Sequence, residues 1–272
     1  MKKLFVSDLD GTLLKIGNDY SAGVSEENRK IIQKYIANGN LFAIASARGH
    51  QYLPVISKML GFTPDYIGGN GTSLVCDGQL EMVYLEDDFY SLLKQTVIEE
   101  SLSATVILHT EKASYCENRD AYPFGFENPL HTPSMFRFSE HPVPADFSEE
   151  RPVNIAVFVE PERMEEVKLK LRQKFSHLVE IVSSDIDLIN ITPKGCTKGS
   201  GILRLMEKHG LKIENVGVVG DSDNDVNMFE VTKFSYCMDH SEEIVKNKAS
   251  KIVKSVGEAL IDFADLNESG DK

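Results

Sequence analysis

The sequence holds no apolar run approaching the roughly 18 residues that a membrane-spanning helix needs. Nor does it open on a signal-type stretch, since Lys2-Lys3 leads into a short strand and then acids. Only four cysteines occur (Cys76, Cys116, Cys196 and Cys237), widely spaced and without a Cys-x-x-Cys pair, which fits reduced thiols in a cytoplasm. Dense Lys/Arg runs are missing too. With 29 basic residues against 42 acidic ones the formal charge is −13, so neither a nucleic-acid face nor a patch for anionic membranes is expected. There is no internal repeat and no low-complexity tract. What remains is a 272-residue chain, 42% apolar, long enough for two domains with real cores. An acidic protein that handles an anion has to supply positive charge locally.

Apolar runs and their boundaries predict strand 3–7, helix 25–38 capped by Ser25, strand 41–46 and helix 49–60 ending at Gly61. The alternation resumes after residue 195, with helix 198–209 ending at Gly210, strand 216–219, helix 224–230, strand 234–238, helix 241–248, strand 251–253 and a last helix from about 256. Continuous apolar strands alternating with helices imply a parallel sheet covered on both faces. The middle third differs. Helices are expected at 88–101 and 161–175, and strands at 104–109, 112–117, 153–159, 178–183 and 186–191, around a segment rich in proline and aromatics between 118 and 150. The expected architecture is α/β, a Rossmann-like doubly wound parallel sheet in two parts (1–82 and 191–272) with an inserted α+β domain at 83–190.

Four segments that follow predicted core strands or open a helix carry the chemistry, where open α/β sheets place their sites. Asp8-Leu9-Asp10-Gly11-Thr12-Leu13 sets two carboxylates two residues apart where a strand runs out into a Gly-containing turn, and because side chains at i and i+2 of an extended segment point the same way, the two acids are expected to share one small site. Like charges that close need a cation or a proton between them, so the pair suggests a metal site or an acid and nucleophile. Ser46-Ala47-Arg48 offers a hydroxyl, backbone amides and a cation to an oxyanion. Lys198-Gly199 opens a helix with a point charge. Gly220-Asp221-Ser222-Asp223-Asn224-Asp225 crowds three acids and an amide into five residues, which is costly unless a cation organises them.

In this order the four segments resemble the haloacid dehalogenase superfamily of aspartate-nucleophile phosphohydrolases. The long insert, Gly69-Asn70-Gly71 and Pro193-Lys194-Gly195-Cys196-Thr197-Lys198-Gly199 look like the Cof-type subgroup, whose insert is an α/β cap. The resemblance implies a nucleophile at Asp8 and an acid/base at Asp10. It implies phosphoryl contacts from Ser46 and Lys198, and Mg2+ bound by Asp8, Asp221 and the backbone carbonyl of Asp10. Asn70 and Gly71 are expected substrate contacts, Arg48 either an ion-pair partner or a contact to a substrate phosphate or hydroxyl, and Asn224 a phosphate contact or a lock on its loop, with Asp225 behind the metal or orienting Lys198. Ala47 stands where the family often has Gly, and Met238-Asp239-His240-Ser241 departs from the family's Asn-Ala pair.

The expected activity is hydrolysis of a small phosphorylated metabolite, with sugar phosphates favoured, by a cytoplasmic monomer or small homo-oligomer. Alternatives are a phosphatase of pyridoxal phosphate or flavin mononucleotide, a phosphomutase, and a non-catalytic phosphometabolite-binding regulator. Tyr115, Tyr122, Phe124, Phe126, Phe136 and Phe138, with Arg119, His131 and Arg137, line a substrate pocket or form a satellite core of the insert. Gly69-Asn70-Gly71 is as much a turn sequence as a substrate loop.

Overall fold

A computed structural model describes residues 2–14, 23–116, 136–138, 143 and 147–268. The chain forms two compact units, Met1–Glu81 with Thr197–Lys272, and Met82–Cys196.

The first unit is built on eight strands: β1 (Leu4–Asp8), β2 (Leu41–Ala45), β3 (Asp65–Gly68), β4 (Ser73–Cys76), β5 (Gln79–Met82), β12 (Val216–Gly220), β13 (Phe234–Met238) and β14 (Lys251–Val253). Their order is β14-β13-β12-β1-β2-β3-β4-β5. From β14 to β3 all pairs are parallel, and β4 turns back antiparallel to β3. From sequence no strand is expected between Gly61 and Met82. The reason is length, because β3 to β5 are four residues each and are separated by glycine turns, too short to show a period.

Alternate residues of the central strands feed two cores. Phe5, Phe42 and Tyr236 pack with Ile32 and Tyr35 of α1 (Glu26–Ala37), Ile56 and Leu60 of α2 (Leu53–Leu60), and Leu260 and Phe263 of α8 (Val256–Glu268). On the other face Leu4, Val6, Ala43 and Val218 meet Ile202 and Leu205 of α5 (Lys198–His209), Phe229 of α6 (Val226–Phe229) and Val245 of α7 (Glu243–Lys246). Because both faces are buried, these strands read as unbroken apolar runs. Ser25 caps α1 by accepting from the Asn28 amide, and Gly61 ends α2 at φ +80°. The helix expected at 241–248 is confined to α7, since a turn from Met238 to Ser241 precedes it.

The second unit is a six-stranded sheet in the order β10-β11-β9-β6-β7-β8. Its members are β6 (Thr105–Thr110), β7 (Ser114–Cys116), β8 (Phe136–Phe138), β9 (Pro152–Phe158), β10 (Val179–Asp185) and β11 (Leu188–Pro193). Val106, Leu108, Ile155, Val157, Ile189 and Ile191 cover one face and pack with Phe89 and Leu93 of α3 (Phe89–Glu99) and Val167 and Leu171 of α4 (Met164–Phe175). The period of two in these strands follows from that one-sided helical layer. β8, inside the segment left unassigned from sequence, pairs parallel with β7. Among the described residues no helix is long and apolar enough to cross a membrane.

Candidate active site

β1 lies between β2 and β12, and their registers set Asp8 opposite Ala45 and Ser7 opposite Val219. The residues that leave the carboxyl ends of these strands, Asp8, Ser46 and Asp221, therefore emerge side by side, at the switch point of an open α/β sheet. α5 starts beside them. Thr197 caps it by accepting from the Ser200 amide, while the Ser200 hydroxyl accepts from the Thr197 amide, so the first helical residue, Lys198, has a fixed origin. Its buried ammonium donates to Asp8 Oδ1 at 2.6 Å and to Asp225 Oδ1 at 2.6 Å.

The Asp221 loop is folded on its own side chains. Asp225 Oδ2 accepts from the amides of Asp221 (2.8 Å) and Ser222 (3.0 Å), so both of its oxygens are engaged. Thr12 Oγ1 donates to Asp221 Oδ1 at 2.7 Å. Gly11 lets the loop come this close, for its φ is +82° and a Cβ there would stand 2.9 Å from the Asp221 carboxylate carbon.

One oxygen from each of Asp8, Asp221 and Asp225 lies within 4.8 Å of the others. Burial raises the Asp8 pKa; Lys198 opposes the rise, Asp225 and Asp221 add to it, and the net position is well above the usual carboxylate range. Asp221 is pushed up to about 6, first by burial and then by the charge of Asp225. Burial works against the Lys198 ammonium, but Asp225 and Asp8 outweigh it and raise its pKa. Three carboxylates thus face one ammonium, and Asp8 Oδ2 is buried without a hydrogen-bond partner. Hard oxygen donors, surplus negative charge and an orphaned buried oxygen fit a divalent cation such as Mg2+. Asp8 and Asp221 have oxygens to give it, whereas Asp225 does not. His240, in the segment that departs from the family pattern, brings Nε2 to 3.9 Å from Asp221 Oδ2.

Asp10 is not one of these three carboxylates and has its own partner. Its carboxylate is held bidentate by Arg48, Nε to Oδ2 at 2.7 Å and Nη2 to Oδ1 at 2.8 Å. The two carboxylates of Asp8-x-Asp10 thus have different cationic partners, Lys198 for Asp8 and Arg48 for Asp10. β1 ends at Asp8, and the chain turns at Gly11, where φ is +82°. Arg48 stacks over the Tyr52 ring, its guanidinium carbon 4.7 Å from the centroid, and its carbonyl accepts from Tyr66 Oη. Ser46 is buried and its Oγ accepts from the Arg48 amide at 3.1 Å.

Asn70 is buried in the left-handed region (φ 55°, ψ 37°), where its Oδ1 accepts from Asn224 Nδ2 at 3.0 Å and its own Nδ2 has no partner. Gly71 packs against the start of α5. With φ +100°, a Cβ there would lie 2.8 Å from the Thr197 carbonyl carbon, and its carbonyl accepts from Arg204 Nη1. Of the aromatic residues proposed to line a pocket, Tyr115 belongs to the core of the second unit and donates to Glu150. Arg119, Tyr122, Phe124, Phe126 and His131 lie outside the described residues, and Phe136, Arg137 and Phe138 are known as the backbone of β8.

Two positioning residues escaped the sequence. Thr12 sits inside a recognised motif, but nothing local shows that it reaches across 209 positions to Asp221. Asn227 ties the start of α5 to the Asp221 loop by accepting from the Gly199 amide (2.7 Å) and donating to the Asn224 carbonyl (2.8 Å). Its only sequence signal is the i, i+3 spacing from Asn224.

Residues 5–260 match the family model of the haloacid dehalogenase-like hydrolases. The phosphoglycolate phosphatase of Methanosarcina acetivorans is 24% identical over 269 residues, covering 98% of this chain and 97% of that protein. A 5-amino-6-(5-phospho-D-ribitylamino)uracil phosphatase of Bacillus subtilis is 22% identical over 285 residues, covering 93% of each. The solved structure of the subclass IIB sugar phosphatase BT4131 superposes with a TM-score of 0.77 at 18% identity, over 97% of this chain and 99% of that one. The chain belongs to the haloacid dehalogenase-like hydrolases and is an enzyme of that family.

Proposed function

We propose that the protein is a Mg2+-dependent phosphatase that hydrolyses phosphate monoesters of small metabolites through an aspartyl-phosphate on Asp8. The observation that carries this reading is Asp8 itself, a buried carboxylate with one oxygen on Lys198, the other free, and Asp221 alongside. Asp8, Asp221 and the backbone carbonyl of Asp10 would hold Mg2+, which when bound withdraws charge from the phosphate oxygens.

The chain's own groups supply the rest. Lys198 and Ser46 hold the phosphoryl oxygens. Asp225 keeps Lys198 aimed, Asn224 orients Asn70, and the unpaired Asn70 Nδ2 offers its donors to substrate. The Asp8 carboxylate attacks phosphorus, forming an acyl phosphate as the bond to the leaving oxygen breaks. Asp10, released from Arg48 and carrying a proton, gives that proton to the departing alcohol. It then takes a proton from water, whose oxygen attacks phosphorus, breaks the bond to Asp8 and frees phosphate. Bidentate pairing uses both Asp10 oxygens, so the acid role requires the Arg48 clamp to open first.

The second unit, inserted between the two halves of the first, takes the role of cap in this reading. The names of the relatives, among them a phosphoglycolate phosphatase, a 5-amino-6-(5-phospho-D-ribitylamino)uracil phosphatase and an HMP-PP phosphatase, support small phosphorylated metabolites as the substrate class. The test is phosphate release from a panel of sugar phosphates, phosphoglycolate, nucleotides, pyridoxal phosphate and flavin mononucleotide, with Mg2+ or with chelator. Turnover that needs Mg2+ and disappears in Asp8→Asn is expected. A folded wild-type protein with no Mg2+-dependent turnover, or an Asp8→Asn protein that keeps it, overturns the assignment.

A further inference from the structure

A second group of metal-ligating side chains lies far from Asp8. Asp65 starts β3, Cys76 ends the antiparallel β4 and His209 ends α5, and one donor atom from each lies within 4.8 Å of the others. Lys198 opens the same helix that His209 closes. Eleven residue steps at about 1.5 Å each put the two sites roughly 16 Å apart along its axis.

The contacts distinguish a ligand set from a nucleophile triad. In a Cys-His-Asp triad the thiol and the carboxylate use different ring nitrogens, so that a proton passes through the imidazole. Here both meet the same atom, with Asp65 Oδ2 at 2.7 Å and Cys76 Sγ at 3.5 Å from His209 Nε2. Tetrahedral Zn2+, with its usual bonds to sulfur and nitrogen, holds those two donors about 3.5 Å apart, the separation found. The carboxylate oxygen needs to move outward by only about 0.7 Å to reach its own place. It is oriented from behind, because Asp65 Oδ1 accepts from the Asp77 amide at 3.2 Å. Cys76 is buried, and the side chains of His209 and Asp65 are 9% and 12% exposed, leaving a narrow opening to water. Sulfur and nitrogen donors disfavour Mg2+ and Ca2+ and suit a borderline first-row ion.

We propose that Asp65, Cys76 and His209 form a Zn2+ site with water as the fourth ligand, fastening the β3–β4 hairpin to the end of α5. On binding, the Cys76 thiol releases its proton to solvent and the His209 Nε2 lone pair turns to the metal, its ring proton moving to Nδ1.

The experiment uses full-length metal-stripped protein in excess Mg2+, which occupies the Asp8 region. Calorimetric titration with Zn2+ should show one ion per chain, and binding should raise the melting temperature by several degrees. Co2+ used as a substitute should give a thiolate-to-metal charge-transfer band and the strong visible absorption of a tetrahedral ion. Loss of a group that only supports a ligand costs about 10–100-fold in affinity, so Cys76→Ser and His209→Gln should each cost at least about 100-fold. Both should keep the basal Mg2+-dependent turnover. No stoichiometric binding at micromolar Zn2+, a Co2+ complex without the thiolate band, or affinity retained in both variants each overturns the site. The Co2+ spectrum is taken on the unsubstituted protein, so it decides even if a variant fails to fold.

Discussion

Replacing Asp221 with Asn should make the metal-free protein more stable while destroying its capacity to bind Mg2+. Asp221 moves from an ordinary 3.8 to about 6 because it is buried and faces Asp225. A folded pKa above the unfolded one means that the folded protein holds the proton more tightly. The contribution of the group is then complete below about pH 4 and is lost as the pH rises through about 6. A rise of about two pKa units corresponds to about 3 kcal/mol against the folded state above pH 7. Asparagine carries no charge to desolvate and keeps an oxygen for the Thr12 hydroxyl. In chelator at pH 8 Asp221→Asn should therefore melt about 6–12 °C above wild type, and the gap should close toward pH 4. Saturating Mg2+ should raise wild type alone, by about 2.7 kcal/mol at 100 times its dissociation constant, and so erase most of the difference. Differential scanning calorimetry of both proteins at pH 4, 6 and 8, with chelator or Mg2+, checks all three statements. A variant that melts below wild type in chelator at pH 8, or a gap independent of pH, refutes the electrostatic account of this loop.

Lys198→Met removes the cation that bridges Asp8 and Asp225. It should cost about 3–5 kcal/mol in denaturant titrations at pH 8 and less at pH 5, where Asp8, held well above the ordinary carboxylate range by burial, takes up a proton in its place. Thr12→Val deletes the 2.7 Å bond to Asp221 without changing shape. Mg2+ affinity in activity titrations should fall about 10–100-fold, with much less change in kcat at saturating Mg2+.

The parts of the fold that show in the sequence are those whose physics is local. β1, β2 and β12 are buried on both faces, so each is a largely apolar run with a polar site residue (Asp8, Ser46 or Asp221) at its end or just past it. The α5 boundaries show through Thr197 and Gly210 for the same reason. Strands β3 to β5 do not show, because four residues between glycine turns carry no period and only the preceding sheet edge gives them partners. Contacts that cross the chain are equally silent. Nothing near Arg48 says that it grips Asp10, 38 positions away, and no motif joins Asp65, Cys76 and His209.

The most consequential of these silences concerns Asp8 and Asp10, which look equivalent in sequence and are made different by the fold. Asp8 is the last residue of a central strand. It is 3% exposed and fixed by a buried ammonium, so it keeps one orientation and is shielded from water. Asp10 stands past the strand end, its side chain 35% exposed, gripped by a guanidinium that is itself stacked on Tyr52. A nucleophile gains from rigidity and exclusion of solvent, whereas a group that gives one proton and takes another has to exchange partners and reach water. In the proposed reaction the division of labour therefore rests on where the strand stops. Had β1 run on through Asp10, the alternation of the strand would have turned both carboxylates to the same side of the chain, and the two could not have been given separate partners.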